Sequence, residues 1–253
     1  MDKMLRPASL KQAMSLRRST AALPVMFRSA TPAYAEGSLL DLSGCEEFSR
    51  MDTDGVLLHI GAGVTASELL RDKRVPELLR AAAEQCPTDK RDRASLGGAL
   101  CARNALTVAA LSALDTRVTV ASETGRRTMK LRRFLRGNLS VAKDELLCEI
   151  LVPDRRGGSG VCERCGEDMA FSGFVRWEHR RISELRLAFC GPEGEPIRFG
   201  EFEAELIGAT VKEAKLLRGP LLAAYERYLP DWEAQRRTTL LLQLGSFLLD
   251  NNI

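Results

Sequence analysis

Short apolar runs alternate with helical segments along residues 1–153, and this alternation limits the possible folds more than any other feature. The clearest strand is DGVLLHIGAG (54–63), a continuous apolar run that follows a glycine-containing turn. A helix follows this strand, because Thr65 and Glu68 have the spacing of a capping box. ELLCEILVP (145–153) closes the region as a further strand. The pattern predicts an α/β or α+β fold for this part of the chain.

The sequence changes character at DRRGGSG (154–160), where three glycines and two arginines predict a linker. Two extended runs follow, DMAFSGFVRWEH (168–179) and ISELRLAFCG (182–191), separated by a short turn. Two helices complete the chain, and the first is expected to be interrupted at Gly219-Pro220. The last helix carries one apolar stripe, expected in a core or a subunit interface: Leu240, Leu244, Phe247 and Leu248.

Charge and hydropathy exclude several classes of protein. The 37 basic and 34 acidic residues leave a net charge of +3, and basic runs alternate with carboxylates, which is typical of a solvated surface and not of nucleic-acid binding. No apolar run approaches the roughly 20 residues that a membrane span needs. The first residues, MDKMLRPASL, lack the apolar core of a signal peptide. We therefore expect a cytoplasmic protein that binds neither nucleic acid nor a membrane.

The seven cysteines are scattered and odd in number, which is typical of reduced thiols in a reducing compartment. Only Cys162 and Cys165 have the spacing of metal ligands. His179 and Cys190 would complete a zinc quartet on paper, but a second close pair is missing. Buried or incidental thiols are the alternative interpretation, and we expect no metal site.

Two glycine motifs suggest close approach to the backbone. Gly61 and Gly63 have the spacing of a dinucleotide-binding turn, G-x-G-x-x-G/A. A Rossmann unit also needs a second strand that ends in an acidic residue about 20 positions on, and this stretch, PELLRAAAEQC (76–86), is helical. Tight packing between a strand and a helix is therefore expected to explain these glycines.

The second motif is RASLGGALCARN (93–104), where Gly97 and Gly98 precede an apolar helical stretch. Glycine lets another group approach the backbone closely, and free N–H groups at such a place can donate to phosphate oxygens. Ser95 would add a hydroxyl donor. A tight turn before a helix is the alternative. The residues alone favour neither interpretation.

The middle of the chain contains four segments in a characteristic order and spacing: IGAGVTASELL (60–70), RDRASLGGALC (91–101), LSALDTRVTVAS (111–122) and DELLCEILVP (144–153). They resemble the flavin-binding medium subunit of the molybdenum hydroxylases, the family of xanthine dehydrogenase and carbon monoxide dehydrogenase. The likeness extends over nearly the whole chain, from RPASLKQA (6–13) to the final helix, and its middle part is the specific one.

The resemblance implies an α+β fold in which a two-subdomain FAD-binding region precedes a small antiparallel sheet of three strands with helices. The implied FAD-binding region covers residues 1–153, with subdomains at about 1–52 and 53–153. Residues 154–160 form the linker, and residues 161–253 form the C-terminal domain.

The resemblance also implies a function as an electron-transfer subunit. In the family, this subunit receives electrons from the iron–sulfur clusters of one partner, while a second partner carries molybdopterin. FAD then passes the electrons to an acceptor. We accordingly expect an oxidoreductase component that carries FAD and is active only within a hetero-oligomer.

The implied contacts of FAD fall on this chain as follows. The segment Ser95-Leu96-Gly97-Gly98 resembles the one that lies against the pyrophosphate. Leu147 resembles an apolar contact of the cofactor. No catalytic residue is implied. The full set of implied cofactor-binding residues is Arg28, Ser29, Thr31, Ser95, Leu96, Gly97, Gly98, Thr107 and Leu147.

Several residues depart from the pattern of the family. Phe27 and Arg28 stand where two glycines normally admit the pyrophosphate, and Ala99 replaces an Asn or Asp. Thr107 and Val108 replace a Ser-Asp pair, and VCERCGED (161–168) has no counterpart of a lysine of the family. Side chains at the first loop should block close backbone approach. The alternative hypothesis is therefore a family member without flavin that acts as a structural scaffold for its partner subunits.

Overall fold

The computed structural model describes residues 4–20, 22–25, 38–136, 145–155, 157–224 and 234–253. The chain divides into two compact units, each built from several segments. The first unit contains Met1–Val75, Ala83–Asn104 and Asp115–Asp154. The second contains Pro76–Ala82, Ala105–Leu114 and Arg155–Ile253. The expected domains at 1–153 and 161–253, with a linker between them, stay a prediction.

A small parallel sheet begins the first unit. Its three strands lie in the order β1-β3-β2, with bounds Met4–Leu5 (β1), Leu23–Val25 (β2) and Leu39–Asp41 (β3). Helix α1 (Leu10–Thr20) connects β1 and β2 and buries Leu10 and Ala13. A crossover helix is the expected connection between these two parallel strands, which lie on either side of β3 and cannot be joined by a tight hairpin.

A five-stranded antiparallel sheet forms the rest of the scaffold of this unit. Its strand order is β4-β5-β8-β6-β7. The bounds are Met51–Thr53 (β4), Leu57–Gly61 (β5), Arg117–Ser122 (β6), Gly125–Lys130 (β7) and Leu146–Pro153 (β8). The central strand β8 pairs with both β5 and β6 and buries Ile150 and Val152 completely. The strands predicted at 54–63 and 145–153 are thus both present and pair with each other.

Short helices surround this sheet. They are α2 (Ala66–Arg71), α4 (Leu96–Cys101) and α6 (Leu131–Leu135), while α3 (Glu77–Glu84) includes residues of both units. The predicted capping box begins α2, because the Thr65 hydroxyl accepts from the Glu68 N–H at 3.3 Å and the Glu68 carboxylate accepts from the Thr65 N–H at 2.8 Å. This prediction is confirmed.

The glycine at the end of β5 has a packing role. A Cβ at Gly61 would lie 2.5 Å from the carbonyl oxygen of Phe48, a distance that real Cβ atoms do not show. The neighbouring chain at Glu47 and Phe48 passes directly over this position. Close backbone packing therefore explains Gly61, and the sheet that contains it is antiparallel, unlike a Rossmann sheet.

The second unit is a sheet with helices on both faces. The strand order is β12-β11-β10-β9, with bounds Ser159–Arg164 (β9), Ala170–Glu178 (β10), Arg181–Cys190 (β11) and Pro196–Arg198 (β12). The entirely buried helix α5 (Ala105–Ala113) packs against one face. The other face packs against α7 (Gly200–Leu206), α8 (Val211–Ala224) and α9 (Ala234–Asp250).

The sheet of the second unit differs from the implied one by a strand. Three antiparallel strands were implied, and the structure has four, because β12 pairs with β11 through Phe189 and Ile197. β9 begins at Ser159, so two residues of the expected linker are part of a strand. Ser159 pairs with Val175 of β10, which gives this glycine-rich stretch regular backbone partners.

The expected interruption at Gly219-Pro220 is wrong. Helix α8 continues through both residues. Proline normally disfavours a helical residue before it, because its Cδ meets the preceding Cβ, and Gly219 has no Cβ. The stripe predicted on the last helix is confirmed, since Leu240, Leu244, Phe247 and Leu248 are all buried in one core cluster.

Candidate functional site

The double-glycine segment forms the first turn of helix α4. Ser95 is the N-cap residue, and its hydroxyl accepts from the Gly98 N–H at 3.2 Å. One interpretation of the sequence placed the two glycines in a tight turn before a helix, but the structure places them within the helix itself. Ser95 also lies next to Thr65 in an isolated β-bridge, so the starts of α2 and α4 are held together.

Gly97 is approached closely by its own chain. Its N–H donates to the carbonyl oxygen of Ala62 at 2.7 Å. A Cβ at Gly97 would lie 2.6 Å from the Ala62 Cβ and 2.7 Å from the Ala62 oxygen. The absence of a side chain at Gly97 is therefore required by packing on the residue that follows β5.

Gly98 has the opposite environment. It is exposed, and among the described residues the only atom within 4 Å of an added Cβ, apart from its own helix and neighbours, is the Ser95 Oγ at 2.8 Å. A flat or charged group can thus approach the first turn of α4 at Gly98 more closely than at a residue with a side chain.

The amides of this turn are already bonded within the chain. The N–H groups of Leu96, Gly97, Gly98 and Ala99 donate to the oxygens of Val64, Ala62, Ser95 (Oγ) and Ser95 (main chain), respectively. What this segment offers a ligand is therefore close contact at Gly98. The segment does not present the free N–H donors that the sequence suggested.

The other predicted cofactor-binding residues lie in different places. Leu147 is on β8 of the first unit and is 9% exposed. Thr107 is buried within α5, which belongs to the second unit. Arg28, Ser29 and Thr31 lie outside the described residues. The assignment of all these residues to FAD stays a prediction.

A polar cleft that sequence reasoning missed lies on the five-stranded sheet. Its volume is about 330 Å³, and residues of β5, β7, β8 and the β4–β5 hairpin line it. His59 occupies the cleft between two carboxylates: its Nδ1 is 3.0 Å from Glu149 and its Nε2 is 3.3 Å from Asp54. A β-bulge adds to this arrangement, because Thr119 pairs with Glu149 and Val120 with Leu147, which leaves Cys148 as the extra residue.

Three groups of the cleft have shifted pKa values. Burial lowers the pKa of His59, but hydrogen bonds and charges from Asp54 and Glu149 outweigh it, and the net pKa is raised. The backbone N–H groups of Leu57 and Val56, with His59, lower the pKa of Asp54 to about 2. Burial raises the pKa of Cys148 to about 12, so this thiol is not a nucleophile at neutral pH.

The raised pKa of His59 predicts a pH-dependent stability. A raised folded pKa stabilises the protein fully below the unfolded value of about 6.5, and this contribution is lost as the pH rises through the folded pKa. Wild type should have a larger free energy of unfolding than His59→Gln, and this difference should be greater at about pH 5.5 than at about pH 8.5. The difference should stay below about 1 kcal/mol, since solvent screens a half-exposed pair.

Urea denaturation at the two pH values measures this difference. His179→Gln is the matched control, because His179 is the second of two histidines and is exposed in the β10–β11 turn. A larger advantage of wild type at the higher pH would contradict the arrangement of His59 between two carboxylates.

The Cys162 and Cys165 thiols are both buried in the second unit. The Cys162 thiol donates to the Leu106 carbonyl at 3.4 Å, and burial raises the pKa of each thiol to about 12. Among the residues that the structure describes, no group of three or more His, Cys, Asp or Glu side chains is placed to hold a metal ion.

Comparison with known proteins gives the family. A family model described as "FAD binding domain in molybdopterin dehydrogenase" matches residues 2–155, which is more than half of the chain. The chain belongs to this family. The match includes the capped start of α2, the double-glycine turn of α4 and the central strand β8. No curated protein sequence matches the chain significantly.

Solved structures show the same fold over nearly the whole chain. A quinoline 2-oxidoreductase from Pseudomonas putida 86 is 18% identical with a TM-score of 0.79, and the match covers 100% of this chain and 97% of that one. A carbon monoxide dehydrogenase from Hydrogenophaga pseudoflava is 19% identical, with a TM-score of 0.77 and coverage of 98% and 94%. The corresponding values for carbon monoxide dehydrogenase from Oligotropha carboxidovorans are 16%, 0.77, 96% and 95%. The α+β fold expected from the sequence is confirmed.

No helix in the described part of the chain combines the length and the apolar character that crossing a membrane requires.

Proposed function

We propose that this molybdopterin-dehydrogenase family member is the FAD-carrying electron-transfer subunit of a xanthine dehydrogenase-like molybdenum hydroxylase complex. The observation that carries the proposal is the family match over residues 2–155, which includes the exposed, side-chain-free surface at Gly98. We place the complex in the cytoplasm, a proposal that is supported by seven free cysteines, all of them among the described residues.

In this proposal, the residues of the first unit have distinct roles. Ser95 and Gly98 would hold the pyrophosphate of FAD, and Leu147 would contact the cofactor with an apolar surface. Leu96 and Gly97 are buried and would keep α4 in position through their hydrogen bonds to Val64 and Ala62. Bound FAD would supply the capacity to accept and release electrons. The proposed partners are an iron–sulfur subunit and a molybdopterin subunit in a hetero-oligomer.

A scaffold without flavin is the second candidate function. It is favoured by the four amides at Leu96–Ala99, which all donate within the chain, and by Phe27 and Arg28 in place of the first pair of glycines. The two candidates share one fold and differ in the cofactor. The visible absorption spectrum of the purified chain, before and after incubation with FAD, distinguishes them: a stoichiometric flavin band supports the first candidate and its absence supports the second.

Gly98→Leu provides the sharper test. The side chain would cover the surface that FAD must approach. Among the described residues the close atom is the Ser95 hydroxyl, and weakening this one cap costs about 1 kcal/mol, so the fold should persist. We expect flavin content to fall at least about tenfold, because losing about 1.4 kcal/mol of binding free energy weakens binding tenfold. Absorbance of released flavin, measured per mole of protein, gives this result.

Gly245→Leu is the matched control, since no atom of the described residues, apart from its own helix and neighbours, lies within 4 Å of an added Cβ at this position of α9. The control should retain the flavin content of wild type. Equal flavin content in Gly98→Leu and wild type would show that the double-glycine turn does not hold the cofactor.

A further inference from the structure

One hairpin and the helix that follows it carry a dense cluster of positive charge. Residues 117–136 contain seven basic residues and one acidic residue, a net charge of +6. The whole chain carries +3, so the remaining residues together carry −3. We call the seven basic residues the basic strip: Arg117, Arg126, Arg127, Lys130, Arg132, Arg133 and Arg136.

The basic strip lies at the surface of the first unit. All seven of its residues are exposed, while Leu131, Phe134 and Leu135 bury the other side of α6. β7 is an end strand of the sheet, and among the described residues it pairs with β6 alone. The side chains of β7 are thus accessible along the whole strand, except for Met129.

The strip contains a pair of like charges that stability does not explain. In the β6–β7 ladder, Arg117 stands directly opposite Lys130. Side chains of such a pair share one face of the sheet, and like charges in this arrangement destabilise it. Charged residues protect an end strand from aggregation, but that purpose does not need two cations opposite each other. A cost of this kind is typical of residues kept for binding.

A carboxylate within the chain shows how an arginine of β7 binds an acid. Glu145 approaches Arg127 side-on, with Oε1 2.9 Å from Nε and Oε2 2.7 Å from Nη2. This parallel two-bond geometry is the one that guanidinium groups form with carboxylates. The exposed face of the strip has no aromatic side chain on which a base would stack, because Phe134 is completely buried.

We propose that the basic strip is a docking surface for a carboxylate-rich surface of a partner protein. The proposal goes beyond the proposed function, because it does not depend on FAD. Opposite charges across such an interface accelerate association and fix its orientation. Arg126, Lys130 and Arg132 would pair with carboxylates of the partner, and the repulsion between Arg117 and Lys130 would be relieved on binding.

The test uses the full chain and a fluorescent oligoglutamate peptide, with anisotropy measured at low and high salt. The triple variant Arg126→Glu, Lys130→Glu, Arg132→Glu should weaken binding at least about tenfold, because attraction becomes repulsion at three positions. The control triple Lys73→Glu, Lys212→Glu, Lys215→Glu changes the net charge equally at exposed positions elsewhere. It should change binding less than about twofold.

The single variant Lys130→Glu separates binding from stability. It replaces a like-charge pair by an opposite-charge pair with Arg117, so its thermal midpoint should rise while its affinity for the peptide falls. A fall in both would show that Lys130 stabilises the hairpin, against the proposal. Three other results would overturn it: no binding of the peptide by wild type, equal loss in the control triple, or tighter binding of a DNA duplex than of the peptide.

Discussion

Glu203→Ala is expected to destabilise the second unit by about 2–3 kcal/mol, because it removes the buried carboxylate that pairs with the half-buried Arg198 guanidinium. Glu203 is 4% exposed, and both of its carboxylate oxygens accept from Nη2 of Arg198, at 3.0 Å and 2.8 Å. One of them also accepts from the Leu187 N–H at 2.6 Å. The substitution therefore removes the acceptors of a charged group and of a main-chain N–H in the middle of β11.

The effect should spread to helix α5. Arg198 also donates to the carbonyl oxygens of Ser112, at 2.9 Å from Nη1, and Leu187, at 3.2 Å from Nε. Ser112 lies in the last turn of α5, where carbonyl groups lack helical partners and a cation is favourable. Glu203 thus holds the Arg198 guanidinium in the position from which it donates to the Ser112 carbonyl at the end of α5.

Chemical denaturation followed by circular dichroism measures the loss. Glu205→Ala is the control, since Glu205 is an exposed carboxylate on the same helix. It should change the free energy of unfolding by less than about 0.5 kcal/mol. Equal effects of the two substitutions would mean that the Arg198–Glu203 pair does not stabilise the fold.

Local features of the fold could be predicted from the sequence. The capping box at Thr65 and Glu68 needs only a spacing of three residues, and the stripe on α9 needs only a helical period. The strand at β8 likewise follows from a continuous apolar run. Each of these signals lies within one element, so that no knowledge of the topology is required.

Features that depend on strand pairing could not be predicted. His59 and Glu149 are 90 residues apart, and only the pairing of β5 with β8 brings them to one cleft. The same is true of Arg117 and Lys130, whose opposition depends on the register of the hairpin. A shift of one residue would turn these side chains to opposite faces of the sheet, and the sequence alone does not specify that register.

The two adjacent glycines also illustrate this limit. The sequence indicates that something approaches Gly97 and Gly98 closely, but it treats the two alike. In the structure, Gly97 faces Ala62 of its own chain, while Gly98 faces outward. One glycine is explained by packing, and the other remains available to a cofactor. The two glycines differ because the fold brings Ala62, which is 35 residues earlier in the chain, into contact with Gly97.

Gly97→Ala should destabilise the first unit by about 2–3 kcal/mol, because its Cβ would overlap the Ala62 side chain and carbonyl oxygen. Gly98→Ala, one residue on, should change the free energy of unfolding by less than about 1 kcal/mol. Alanine is favoured over glycine in a helix by about 1 kcal/mol, and this gain offsets a small shift of the Ser95 hydroxyl, the close atom at Gly98 among the described residues. Alanine substitutions at adjacent positions of the same helix thus differ in expected size.

Denaturation curves of both variants, with Ala62→Gly and its combination with Gly97→Ala, test the cause. Removing the Ala62 Cβ should recover part of the loss and not all of it, since the Ala62 oxygen stays 2.7 Å from the added Cβ. The coupling free energy of this cycle should be at least about 0.5 kcal/mol. Independent effects of the two substitutions would contradict the packing of α4 on Ala62, and Gly97 would then, like Gly98, need a ligand to explain it.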